Sequence, residues 1–147
     1  ARTYAVQAGE ANDENDVRAN KLFAALHLFD HAERLAERAQ RGARLSDFGS
    51  RGELRELAHR IARDLTVLAA EVESKAALTS LRVLEAAAAE LESEKSQMRA
   101  QLIGSAARGE LTAPDLDQAL DGARWIRRLV YHSWRIAVYW SAVDARD

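Results

Sequence analysis

Between residues 54 and 72 the apolar side chains Leu54, Ala58, Ile61, Leu65, Leu68 and Val72 recur alternately four and three residues apart. An α-helix completes a turn in about 3.6 residues, so this alternation keeps every member on one face. A helix with such a seam must lay it against other helices, and the feature selects an all-α antiparallel bundle over any sheet fold. The single proline, Pro114, and the glycines between periodic segments mark where helices stop. Four long helices are expected. The first runs from about Asp16 to Arg41, with Leu22, Ala25, Leu26, Phe29, Ala32, Ala36 and Ala39 lining its buried side and Gly42 ending it. The second spans about Glu53 to Ser74. Its register breaks between Ser74 and Ser80, which predicts a turn there. The third, about Ser80 to Arg108, carries the seam Leu81, Leu84, Ala88, Leu91, Met98 and Leu102, and the heptad phase puts Lys95 on that seam too.

Gly109 suits the C′ position of the third helix, because glycine enters the left-handed conformation without a Cβ clash. Thr112 followed by Asp115 reads as a capping-box variant that opens the fourth helix, with Pro114 tolerated in its first turn. That helix reaches about Val143, and the short connection makes it an antiparallel neighbour of the third. One core containing Leu54, Ile61, Leu68, Leu84, Leu91, Met98, Leu129 and Ile136 is expected from the seams.

A chain of 147 residues with 48% hydrophobic content has enough material for one core and too little for two. Residues 1–15, with Glu10, Asp13 and Glu14, read as a linker or frayed extension, and 16–147 as the bundle domain. The net charge of −2 lacks the global basicity that nucleic-acid binding would need. The absence of cysteine excludes disulfides, thiolate metal sites and thiol nucleophiles. No uncharged stretch approaches the roughly 20 apolar residues of a membrane span. The start, Ala1-Arg2-Thr3-Tyr4, has neither an initiator Met nor a signal-like run and reads as cut from a longer chain.

All three tryptophans crowd into the last helix, beside Arg124, Arg127, Arg128, His132 and Arg135. Trp125, Ile126, Leu129, Val130, Ile136, Ala137 and Trp140 sweep one arc, while Tyr131, Trp134 and Val138 gather opposite among arginines. Arginine and aromatic residues are enriched at interface hot spots, so Arg127, Arg128, Tyr131, Trp134 and Arg135 are the candidate partner-binding strip. The alternatives are a bundle edge capped by arginine stems, or a surface that stacks bases.

Other constellations carry less. His27, Asp30, His31 and Arg34 form a polar stripe on the first helix, which is either a two-point metal chelate or an interhelical stripe with Asp30 paired to Arg34. Glu56 and His59 give one Glu-x-x-His motif where a di-metal carboxylate bundle requires two. Glu90 and Glu94 share a face and read as solvated. No phosphate loop, nucleophile elbow or zinc-protease motif occurs. The reading is a noncatalytic domain without cofactor or bound metal, with a metal-binding carboxylate and histidine bundle and a freestanding dimeric adaptor as the alternatives.

Leu28-Phe29-Asp30-His31-Ala32-Glu33-Arg34-Leu35 resembles the Asp-His-containing helix of PhoU-like domains. Residues 123–136, from Ala123-Arg124-Trp125 to Trp134-Arg135-Ile136, are similar to the closing helix of the PhoU-like tail of bacterial sodium/phosphate cotransporter family proteins, and Gly109-Glu110-Leu111 fits the turn before it. The resemblance spans about residues 20 to 140. It implies a regulatory domain on the cytoplasmic face of the inner membrane, contacting the transmembrane portion of a parent sodium-dependent phosphate transporter, a second copy, or both. PhoU proteins hold metal on repeated Glu/Asp-x-x-x-Asp clusters. Here Leu26 stands four before Asp30, and Arg128 and His132 occupy the matching stretch, so no metal cluster is implied.

Overall fold

The computed structural model describes residues 2–42, 52–74 and 78–144, with side chains from residue 15 on apart from 41, 42, 52–55 and 57. Among the described residues the chain is all-α: α1 Arg2–Gly42, α2 Gly52–Ser74, α3 Ser80–Ser93, α4 Lys95–Ala107 and α5 Ala113–Asp144. Five helices stand where four were expected, because the third is interrupted at Glu94. The predicted helix limits otherwise hold to within a residue or two, except that α1 extends back to Arg2. Residues 2–15 thus continue the helix, and residues 15–20 are exposed on every side.

α5 is the hub. It packs against each of the other four helices, whereas among the described residues α1 packs against α5 alone. Its inward residues recur at Ala119, Gly122, Ile126, Leu129, Ser133 and Ala137, and Val130 and His132 are buried beside them, so most of its circumference is covered. The core falls into two clusters. Ile61, Leu91, Ile126, Leu129 and Val130 form the first, and Leu68, Leu84 and Ala137 the second. The single core expected from the seams is therefore divided: Ile136 only flanks the second cluster, Met98 is half-buried outside both, and the side chain of Leu54 lies outside the described residues.

Local signals position these helices. Gly109 has φ +74°, and Glu110 N–H donates to the Ser105 carbonyl at 3.0 Å, closing α4 in the left-handed stop expected of glycine. Asp115 N–H donates to Thr112 Oγ1 at 3.3 Å while Asp115 Oδ2 accepts from Thr112 N–H at 3.2 Å, a reciprocal capping box that satisfies two donors at the start of α5. The turn before α3 is held from outside the turn. Glu71 of α2 accepts from Thr79 N–H at 3.0 Å, Ser80 N–H at 3.1 Å and Ser80 Oγ at 2.5 Å, and also from the Thr79 hydroxyl. These bonds, the Ser80 hydroxyl foremost, hold the Glu71 carboxyl below its ordinary range.

Candidate functional site: the α1/α5 seam and the surfaces beside it

The α1 face expected to be buried is turned outward. Leu22 and Leu26 are each 62% exposed and Phe29 is 73% exposed, with Phe23 open beside them. The inward face is instead Ala24, Leu28, His31 and Leu35, which repeats the four-three spacing half a turn away. The cause is the surface α1 meets. α5 offers it His132, Trp125, Arg135 and Tyr139, so the complementary face of α1 joins two leucines to a small residue and an imidazole and leaves Phe29 outside.

The polar stripe and the basic aromatic strip, read as separate features, are brought together across this seam. His31 Nδ1 and His132 Nδ1 stand 2.9 Å apart in a buried contact. One ring must donate its Nδ1–H and the other accept on a bare Nδ1, so the accepting imidazole is neutral and two imidazolium rings cannot share this geometry. Tyr139 stacks on His27 and His31 with ring centroids 5.1 Å and 5.7 Å away, and Tyr131 meets His31 edge-on at 5.8 Å. Arg135 lies over the Tyr139 ring at 4.6 Å and the Trp134 ring at 5.5 Å, and also bonds the Tyr139 hydroxyl. Trp125 Nε1 donates to the Arg38 carbonyl at 2.8 Å and ties the far end of α1 to α5. Asp30 takes Arg34 Nε at 2.9–3.0 Å, the i,i+4 pair expected on the outer edge of the stripe.

Burial sets the electrostatics here. Desolvation, with lesser contributions from His31, Arg38 and Arg34 and against the pull of Asp30, pushes the His132 imidazole down to about 4. Burial and the Arg135 charge push His31 down as well. Both rings are therefore neutral near pH 7. Among the described residues no three His, Asp or Glu side chains converge as a metal-binding group, since Asp30 turns to Arg34 and His27 to Tyr139.

Of the partner-binding strip, Arg127, Arg128, Tyr131 and Trp134 line a shallow groove of about 520 Å³ between α3 and α5, opposite Glu85 and Glu92. Tyr131 and Arg128 are exposed, whereas Trp134 is half-buried against the Leu68, Leu84 and Ala137 cluster with its indole N–H unpartnered. Arg135 departs from the groove and serves the seam. Glu56 and His59 are both exposed on α2, and Glu90 faces Arg60 at 3.8 Å. The His31–His132 pair escaped sequence reasoning, although both residues occupy positions at seam spacing; it was the apolar count that pointed to the other face of α1.

Comparisons of the chain with protein-family models, curated proteins and solved structures found no match in any of the three. No described helix is long and apolar enough to cross a membrane.

Proposed function

We propose that this chain is a noncatalytic, all-helical docking domain that acts through protein contacts. Its proposed setting is the cytoplasmic side of a sodium-dependent phosphate transporter, to whose PhoU-like tail residues 28–35 and 123–136 are similar. The observation that supports docking is the outward face of α1. Leu22, Phe23, Leu26 and Phe29, each more than half exposed, together leave on the order of 500 Å² open, the size of the largest apolar patch on a typical single-chain protein, which is often a functional surface. The occupant we assign to it is a second copy. Antiparallel pairing of two α1 helices about a two-fold axis near residues 25 and 26 sets Leu22 against the partner copy's Phe29 and Arg18 against its Glu33, so the face is complementary to itself in shape and charge. The groove bearing Arg127, Arg128, Tyr131 and Trp134 is then the surface for the membrane portion of the parent transporter.

Sedimentation equilibrium tests the pairing. A concentration-dependent dimer that Phe29→Glu converts to a folded monomer is expected, and a wild-type chain that stays monomeric at high micromolar concentration refutes it. The transporter setting is tested separately by the parent reading frame. Apolar spans of about 20 residues encoded upstream of Ala1 are expected, and a frame without them removes this setting while leaving the docking reading intact.

A further inference from the structure

The seam of the third expected helix is interrupted by a cation at the point where the helix breaks. Leu84, Ala88 and Leu91 pack inward on α3, but Lys95, the next member, opens α4 with its side chain half in solvent, reaching Glu92 at 2.6 Å. After it α4 buries only Leu102. A charge at a seam position cannot be packed, so α4 stands off α5 and leaves a cleft of about 280 Å³. Its floor is apolar, made by Leu91, Met98, Leu102 and Leu120. Its rim is basic: Lys95, Arg99, Arg124 and Arg127 line it together with Ser96, and no acidic residue is among the lining residues.

We propose that this cleft binds an organic anion, a carboxylate or sulfonate carried on an apolar body of about ten carbon atoms. The size follows from the volume at roughly 30 Å³ for each water-sized group. The anionic head is set by the rim. Glu92 accepts from both Lys95 and Arg127, and Asp121 pairs with Arg124, so four cations share two carboxylates. Among the described residues Arg99 has no carboxylate within ion-pair distance. These pairs are at the surface, where each contributes little, so an incoming carboxylate exchanges with them at small cost and meets two positive charges in excess. A bare inorganic anion would gain the rim and waste the floor, and an uncharged alkyl chain the reverse. The site shares Arg127 and its partner Glu92 with the edge of the α3/α5 groove and nothing with the outward face of α1, and it rests on the cleft alone, so it stands whether or not the docking reading does.

Isothermal titration of the full chain with decanoate, decanol and inorganic phosphate tests the assignment, alongside the surface variant Arg99→Gln/Arg124→Gln checked for unchanged helicity. Saturable decanoate binding is expected, weakened tenfold or more in the variant, with decanol and phosphate each at least tenfold weaker on wild type. Equal decanoate affinity in wild type and variant overturns the site. Decanol binding as well as decanoate shows a purely apolar patch, and phosphate binding as well as decanoate shows a bare anion site; either refutes the proposal. Decanoate binding that survives in the arginine variant but is lost in Leu26→Glu/Phe29→Glu would place the ligand on α1 and overturn it too.

Discussion

Acidification should loosen the α1/α5 seam before it touches the rest of the bundle. His132 is only 6% exposed and His31 8%, and their Nδ1 atoms are 2.9 Å apart. In the unfolded chain each imidazole takes up a proton as the pH falls through 6.5, whereas in the folded chain His132 stays neutral to about 4. The unfolded state therefore binds more protons between these values, and stability falls as pH falls through that window, levelling only below it. A tenfold difference in proton binding between the two states is worth about 1.36 kcal/mol. Lowering the pH from about 7 to about 5 crosses roughly 1.5 pH units of the window, which gives an upper figure near 2 kcal/mol for His132. Solvent screening at the exposed Asp30–Arg34 edge reduces this, and His31 adds in the same direction, so a loss of roughly 1 to 2 kcal/mol is expected. Glu71, whose carboxyl is held below its ordinary 4.5, loses its contribution only at lower pH and does not confuse the window. Urea titrations followed by circular dichroism at several pH values from 7 to 5 measure the effect, with His31→Phe/His132→Leu as the non-titrating reference. Wild type should lose stability relative to that variant on acidification. A difference that is flat across the window, or one that grows in favour of wild type, would show that the two rings are not buried neutral against each other.

Three further outcomes follow from the packing. Ile61, 1% exposed in the first core cluster, should cost about 2 to 5 kcal/mol when cut to alanine, read from the midpoint of urea unfolding; a cost below about 1 kcal/mol would mean that α2 does not pack as described. Glu71→Ala removes the acceptor for Thr79 and Ser80 and is expected to cost about 1 kcal/mol and speed amide exchange in the first turn of α3, with unchanged exchange at Ser80 counting against the cap. Gly109→Ala meets no neighbour within 4 Å, so its cost of about 1 to 2 kcal/mol should be backbone strain alone at φ +74°, and a neutral substitution would refute the left-handed turn.

The sequence by itself determined the all-α bundle, the turn from Gly109 to Thr112 and most of the described core. The seams of α2 and α3 bury Ile61, Leu68, Leu84 and Leu91, with Ala58, Leu65, Val72, Leu81 and Ala88 half-buried beside them, because both helices run beside α5. The left-handed stop at Gly109 and the capping box at Thr112 were also legible, since both depend on neighbours within a few residues. Three matters were decided only by the tertiary structure. Glu71 closes a turn eight and nine residues away in sequence, and the interruption at Glu94 falls where the seam reaches Lys95, whose ammonium pairs with Glu92 in solvent. The third is the rotation of α1. Its two faces have the same four-three spacing, and counting apolar side chains favours Leu22, Leu26 and Phe29. What selects Ala24, Leu28, His31 and Leu35 instead is the partner: along that line His31 meets His132, the Trp125 indole N–H finds the Arg38 carbonyl, and Leu28 and Leu35 turn inward in place of Leu22 and Leu26, so two polar contacts within the seam are gained while Phe29 stays on the surface.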